Sequence, residues 1–252
     1  MQQMTTLLSR DILNSIKSIR DMKKNYESEY IENELTHPWF KARTQLFLSI
    51  LPQQKNLKIL DYGCGTGNFL NALKNNGYYN LLGVEVSKNE NFNKGSFREI
   101  QVKSSIPKDH KYDLILMMDV LEHIEDDCAI INILKSHLNP KGKLIISVPA
   151  YQFLWSKHDE DNMHYRRYCK KSLQRILNKC DLSITWIRYW NSLLFPFIAI
   201  NRLINKNINN EQNIKNSFLS KIVFIILKVE SFLLPQVCFP FGLSVIASCT
   251  NE

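Results

Sequence analysis

Two stretches of this sequence concentrate residues able to do chemistry. In "ILDYGCGTGNFL" an apolar run leads into Asp61, and Gly63, Gly65 and Gly67 follow at alternate positions before a helical pattern resumes. Glycines let the backbone take positive φ and approach a ligand closely, and the helix start beyond them offers free N–H groups. The second stretch, "HDEDNMHYRRY", packs His158, Asp159, His164, Arg166, Arg167 and Tyr168 with two further carboxylates into eleven residues. Histidines titrate near neutral pH, a neighbouring carboxylate can orient an imidazole, and arginines suit a phosphate or carboxylate on a substrate. A solvated loop, or a loop pinned to the fold by Arg167 and Tyr168, is the plainer reading of the same residues.

The first stretch narrows its own ligand. A dinucleotide fingerprint needs a glycine at 68, where Asn68 stands, and an acidic Asp61 at a strand tip sits poorly against a pyrophosphate. A ligand carrying an ammonium fits better. The next apolar run, "LLGVEV", brings Glu85 to a second strand end, where a carboxylate can take both hydroxyls of a ribose. Adenosine joined to an amino-acid ammonium describes S-adenosylmethionine.

These groups need a scaffold, and the spacing of apolar runs supplies one. "KILDYG", a helix over 67–77, "LLGVEV", "FREIQV", "YDLILMMDV", a helix near 126–138 and "KLIISVP" alternate strand with helix, as in a parallel sheet covered on both faces. The runs at 114–121 and 144–148 are apolar throughout, which predicts central strands. "NNGYYN" and "NPKG" read as turns at helix ends. Beyond residue 149, "KSLQRILNKC" reads as a helix, "SITWIRYW" as a strand and "GLSVIASCT" as a last strand. Two apolar helices around an Asn-rich linker, 201–217, lie between those strands.

"LDYGCGTG", Glu85 and "YDLILMMDVLEHIEDD", in that order, resemble the class I S-adenosylmethionine-dependent methyltransferases over roughly residues 37–190. The resemblance implies an α/β, Rossmann-like, doubly wound and mostly parallel sheet of seven strands in the order 3-2-1-4-5-7-6, with strand 7 antiparallel. It places Asp61, Gly63, Cys64, Gly65, Gly67, Glu85 and Asp119 at the cofactor. Where the family has an acidic residue after the third strand, this chain has "QVKSSIP", leaving Val102 and Lys103 for the adenine. "HPWFKART" is similar to a helix of a bacterial type 11/12-like subgroup that closes over the cofactor, with Arg43 for the methionine carboxylate and Trp39 and Phe40 either beside it or in the core.

In open α/β sheets ligands bind beyond the C-terminal ends of the strands. The charged stretch leaves the fifth strand at that edge. Its S-x-H-D and H-x-R-R-Y patterns resemble the same subgroup, often linked with surface polysaccharide and lipid-carrier sugar biosynthesis. Methyl transfer from a sulfonium mostly needs alignment, plus a base for a hydroxyl or ammonium nucleophile. His158, Asp159, His164 and His123 are therefore the candidate catalytic groups, with Arg166, Arg167 and Tyr168 for the acceptor; helix capping is the alternative for His123.

The expected organisation is an N-terminal helical extension over 1–36 and a methyltransferase domain over 37–252, with a helical insertion at about 191–241. The expected activity is methyl transfer to an oxygen or nitrogen of a small-molecule, glycan or lipid-linked acceptor. A nucleic-acid methyltransferase and a non-catalytic cofactor-fold subunit are the rivals. The net charge of +8 suits the first, but "DVLE" stands where base-amino methylation has an "NPPY" type motif. Nucleic acid is thus disfavoured, and a homo-oligomer stays open. The six cysteines show no CxxC or zinc-finger spacing, so they read as reduced thiols, and no metal is expected. The start lacks the apolar core of a secretory signal, which predicts a cytoplasmic protein. Residues 151–252 carry 13 basic and 7 acidic groups, six of the eight excess charges. Lys and Arg beside apolar helices suit peripheral contact with the anionic inner face of a membrane, whereas covering the acceptor pocket or a dimer partner is the plainer role for those helices.

Overall fold

Strand interiors that alternate between two apolar faces need cover on both sides, and here each side has its own core. In the computed structural model, which describes residues 37–86, 100–204, 218–234 and 236–251, Leu60, Tyr62, Ile115, Met117, Leu144 and Ile146 belong to one buried cluster. Their strand neighbours Ile59, Leu114, Leu116 and Ile145 belong to the other. This is the two-residue period of a strand buried on both faces.

The strands are β1 (Ile59–Tyr62), β2 (Leu81–Val84), β3 (Gln101–Lys103), β4 (Tyr112–Met118), β5 (Leu138–Pro149), β6 (Ser183–Trp190) and β7 (Ser244–Thr250). They form one sheet in the order β3-β2-β1-β4-β5-β7-β6. The first five run parallel, and β7 lies antiparallel to both β5 and β6. Order and direction are those the sequence resemblance implies. Helices α1 (Pro38–Ile50), α2 (Asn68–Asn75) and α7 (Phe218–Leu233) cover one face through Leu46, Phe47, Leu70, Leu73 and Leu227. Helices α3 (Asp127–Ser136) and α5 (Lys170–Lys179) cover the other through Ile130, Leu134, Leu173 and Leu177. The short α4 (Lys157–Asp161) lies within the charged stretch, and α6 (Phe195–Ile204) with α7 forms the helical insertion before the last strand.

Local signals decide the element ends. Pro38 opens α1, and the His37 ring accepts the Trp39 N–H at 3.2 Å. Two ends differ from expectation. The apolar run 114–121 stops being strand at Met118, because Asp119 takes φ +55° and turns the chain into a one-turn 3-10 helix, Leu121–His123. The "NPKG" turn falls inside β5 instead: Tyr112 pairs with Leu138 and Leu114 next with Lys143, so residues 139–142 are an irregularity in a continuing strand. The expected 1–36 extension and most of the Asn-rich linker lie outside the described residues.

Candidate active site

The glycine-rich turn is stitched to the neighbouring strand by its backbone. Gly63 and Cys64 both donate N–H bonds to the Val84 carbonyl, at 2.8 and 3.1 Å, and Gly65 N–H donates to Glu85 Oε2 at 2.9 Å. Gly63 sits at φ +75°, and a Cβ there would fall 2.3 Å from Val120 Cγ2, so only glycine fits. Gly67, at φ +81°, stands at the N-cap of α2. The turn is thereby held against the end of β2, with Val120 beyond β4 packed against Gly63.

A cleft opens there, lined by Arg43, Asp61, Gly63, Cys64, Gly65, Phe69 and Met118. Five of these were expected from sequence; Phe69 on α2 and Met118, the last residue of β4, were not. Asp61 is fully buried. Arg43 reaches in from α1, donates to Asp119 Oδ2 at 2.6 Å and lies 5.0 Å from the Trp39 ring centre and 4.9 Å from that of Phe40. Trp39 itself packs at 5.8 Å from Trp190, so it serves core and cleft together. Ser147 Oγ donates to the other Asp119 oxygen at 3.0 Å, a contact that the apolar pattern of β5 hides. Buried carboxylate for an ammonium, a second carboxylate at the next strand end, N–H groups at a helix start and a guanidinium fit an adenosyl amino acid as a donor set.

The charged stretch is held together by one carboxylate. Asp159 is fully buried, and Arg167 donates to both its oxygens, Nε to Oδ1 at 2.7 Å and Nη2 to Oδ2 at 2.8 Å. His164 Nδ1 lies 2.9 Å from Asp159 Oδ1, and Ser156 N–H donates to Oδ2 at 2.9 Å. Burial alone would raise the Asp159 carboxyl, but the bonds from His164 and Arg167 hold it well below the usual carboxylate range. Arg167 also donates to the Ala150 carbonyl, and Tyr168 is buried with its hydroxyl toward the Leu121 carbonyl. Arg166 reaches Asp127 Oδ2 and the Glu125 carbonyl at the start of α3. All three candidate acceptor-binding residues thus have protein partners, which pin the loop to the chain just after β5 and to the turn and helix after β4.

The histidines expected at the acceptor side do gather. His123 and His164 meet edge to face at 4.6 Å between ring centres, and His158 stands 6.3 Å from His164. Tyr165 N–H donates to the Glu122 carbonyl at 2.7 Å, tying the stretch to the turn after β4. Burial, and then the neighbouring His164, pulls the His123 imidazole down to about 3, so that ring is neutral at physiological pH. Glu122, overlooked within "DVLEH", is buried beside them, and burial followed by the Asp119 charge pushes its carboxyl well above the usual range.

The family model described as "Methyltransferase domain" matches residues 29–190, more than half of the chain. The chain belongs to this methyltransferase family. An uncharacterised protein of Methanocaldococcus jannaschii is 30% identical over 143 residues, 53% of this chain and 61% of that one. A ubiquinone biosynthesis O-methyltransferase of Bartonella tribocorum is 28% identical over 110 residues, 40% of this chain and 44% of that one. The chain therefore matches less than two thirds of the length of these relatives. Among solved structures, a Thermotoga maritima S-adenosylmethionine-dependent methyltransferase superposes with a TM-score of 0.61 at 18% identity, covering 93% of this chain and 100% of that one. The likeness to that methyltransferase is one of fold. In this methyltransferase-family chain the turn Asp119–His123 runs from the partner of the cleft's Arg43 to the histidine cluster.

Proposed function

We propose that this protein transfers a methyl group from S-adenosylmethionine to an oxygen of a small or lipid-linked acceptor. The observation that carries the reading is the convergence of Asp61, Arg43 and the glycine turn, with Glu85 bonded to Gly65, on one cleft, which the turn Asp119–His123 connects along the chain to the cluster of His123, His158 and His164. In this reading Glu85 takes the ribose hydroxyls and Asp61 the ammonium. Arg43 attracts the carboxylate while keeping Asp119 in place. When bound, the cofactor supplies an electrophilic methyl carbon on a positively charged sulfur. The chain's own part is alignment: α1 covers the cleft, and the rim receives the acceptor atom.

An oxygen acceptor agrees with the similarity to a ubiquinone biosynthesis O-methyltransferase, and with a rim of imidazoles rather than an aromatic slot for a nucleobase. Asp159 accepts from Nδ1 of His164, which leaves Nε2 as the ring's lone-pair end, and His158 stands next to it to take the acceptor's proton. A nitrogen acceptor is the second outcome of the same test.

The insertion helices favour an apolar acceptor. Phe197, Ile204, Phe218 and Phe232 are 74–80% exposed on α6 and α7, far more apolar surface than scattered single residues leave on an ordinary face. No helix among the described residues is long and apolar enough to cross a membrane, so surface contact is the arrangement we infer for them. Incubation of the protein with isotopically methyl-labelled S-adenosylmethionine and extracts fractionated into water-soluble and lipid pools tests the reading. Label should enter an oxygen-linked methyl group in the lipid pool; a protein that binds no S-adenosylhomocysteine by calorimetry would overturn it.

A further inference from the structure

Glu122, His123 and His164 bring one carboxylate oxygen and two imidazole nitrogens within 4.8 Å of one another. None of the three residues lines the cleft, and the loop anchor engages only Nδ1 of the His164 ring. Their hydrogen-bond accounting points one way. Asp159, ionised between Arg167 and His164, can only accept, so His164 Nδ1 carries the hydrogen and Nε2 keeps its lone pair. The His123 ring meets His164 edge to face at 4.6 Å between ring centres, which brings one of its nitrogens to the same place. Glu122 is 1% exposed, and its Oε2 has no hydrogen-bond partner among the described residues. A buried carboxylate oxygen left without a donor is unfavourable, because it has given up water and gained nothing in return. Three lone-pair donors converge, and the partner they lack is an electron-pair acceptor.

We propose that Glu122, His123 and His164 form a binding site for a divalent transition-metal ion, with Zn²⁺ as the best-matched ion. Two imidazoles and a carboxylate suit zinc and its neighbours, whereas calcium and magnesium take oxygen ligands. Three protein ligands leave a fourth position open, as in sites that activate a bound molecule rather than brace a fold. His164 has the outer support such sites use, Asp159 backed by Arg167. None of this was legible in sequence, where the spacings from 123 to 164 match no zinc motif. Only the fold of the loop onto the turn after β4, through Tyr165 and Glu122, brings them together.

The site itself stands on the geometry alone; the role that follows rests on the methyl-transfer reading. Glu122 and His123 lie on the turn that begins at Asp119, the partner of the cleft's Arg43, so an ion held there would be in a position to take up an acceptor hydroxyl. A hydroxyl held there loses its proton to His158 or water more readily than in solution. The acceptor oxygen then forms the new O–C bond with its own electron pair as the S–C bond breaks, and sulfur leaves as a neutral thioether. The substrate class this favours is an alcohol or phenol with a second oxygen beside the nucleophile, able to share the ion.

The test is calorimetric titration of the full-length chain, stripped with EDTA, against ZnCl2, with MgCl2 in a parallel run. One equivalent of Zn²⁺ should bind, and Mg²⁺ should not compete. Glu122→Gln and His164→Ala should each weaken Zn²⁺ by about 100-fold or more, while His110→Ala, away from the cluster, should leave it unchanged. Near-ultraviolet circular dichroism reports whether the variants fold. Co²⁺ added to the unaltered protein gives an independent readout, the intense visible bands of a four-coordinate site. Absence of stoichiometric Zn²⁺ binding, or equal affinity in folded Glu122→Gln and His164→Ala, overturns the site and leaves a shared proton as the device that reconciles the three atoms. S-adenosylhomocysteine binding measured on the same samples separates this outcome from failure of the methyltransferase reading.

Discussion

Arg43 and Asp119 meet at 2.6 Å, joining helix α1 to the residue that follows β4. The pair is mostly shielded from solvent, its side chains 9% and 21% exposed, and Ser147 holds the second carboxylate oxygen. Asp119 keeps its left-handed backbone because both oxygens are engaged there. The guanidinium therefore does two jobs: it latches α1 over the cleft and presents positive charge inside it. Arg43→Met should weaken S-adenosylhomocysteine about 10-fold or more, the scale of one lost charge-assisted bond. Arg43→Lys should recover only part of this, since an ammonium lacks the fork that can serve two carboxylates. Calorimetry that finds unchanged affinity in Arg43→Met would detach α1 from the cofactor site.

The glycine turn makes a sharper prediction. A Cβ on Gly63 would overlap Val120 Cγ2 at 2.3 Å, and φ +75° is unfavourable for any other residue. Gly63→Ala carries about 1–2 kcal/mol of backbone cost and a further ~1–3 kcal/mol of overpacking. Adding Val120→Ala should relieve the second part alone. Urea midpoints of the single and double variants test this, and full recovery in the double variant would remove the backbone argument.

How much of this was readable from the chain differs by element. The sheet was readable because its signal is local: β4 from Leu114 to Met118 is apolar, β5 from Leu144 to Val148 is apolar but for Ser147, and the turn from Asp61 to Gly67 carries its chemistry in consecutive residues. The Asp159 role was not. Asp159, Glu160 and Asp161 look alike in sequence, yet Asp159 is fully buried and bidentate to Arg167 while Glu160 is exposed. That choice depends on where α4 meets the end of β5, a tertiary fact. Glu122 was hidden for the same reason, and Met118 and Phe69 read as core until the cleft between them is visible.

The Asp159–Arg167 pair should be structural in a measurable way. Removing one partner of a buried ion pair leaves an uncompensated charge, at a cost of about 3–5 kcal/mol. Arg167→Met should show that loss in urea unfolding, and Asp159→Asn with Arg167→Met should lose less than Arg167→Met alone. If Arg167→Met unfolds like the parent protein but loses turnover, the guanidinium belongs to the acceptor instead.

Glu230 offers a pH test. It is fully buried on α7, where its carboxyl accepts N–H bonds from Ser192, at 2.7 and 2.9 Å, and from Leu193, at 3.0 Å. Burial raises its carboxyl above the ordinary value, against those bonds. A raised folded-state pKa contributes stability below the unfolded value and loses it as pH rises through the folded one. The stability of the parent protein relative to Glu230→Gln should therefore fall as pH climbs from about 4.5, the ordinary glutamate value. A difference in urea midpoints that grows with pH would show that the N–H bonds, and not burial, dominate.

The insertion helices yield the last prediction. Phe197 and Ile204 on α6, and Phe218 and Phe232 on α7, stand 74–80% exposed, with Arg202, Lys221 and Lys228 on the same two helices. Burying one such aromatic or branched side chain is worth about 1.5–3 kcal/mol, and each Lys or Arg near an anionic surface about 1 kcal/mol. A handful of each suffices for reversible binding to a membrane without any spanning segment. Co-sedimentation with vesicles containing phosphatidylserine should pull the protein down at low salt, and raised salt should release part of it. Phe197→Ser with Phe218→Ser should weaken binding at every salt concentration, whereas Lys221→Gln with Lys228→Gln should weaken it mainly at low salt. Neutral vesicles should bind less than anionic ones. Were anionic vesicles to leave the protein in solution while the same sample sedimented as a concentration-dependent dimer, the apolar faces would belong to a second copy of the chain, and a water-soluble acceptor would replace the lipid-linked one.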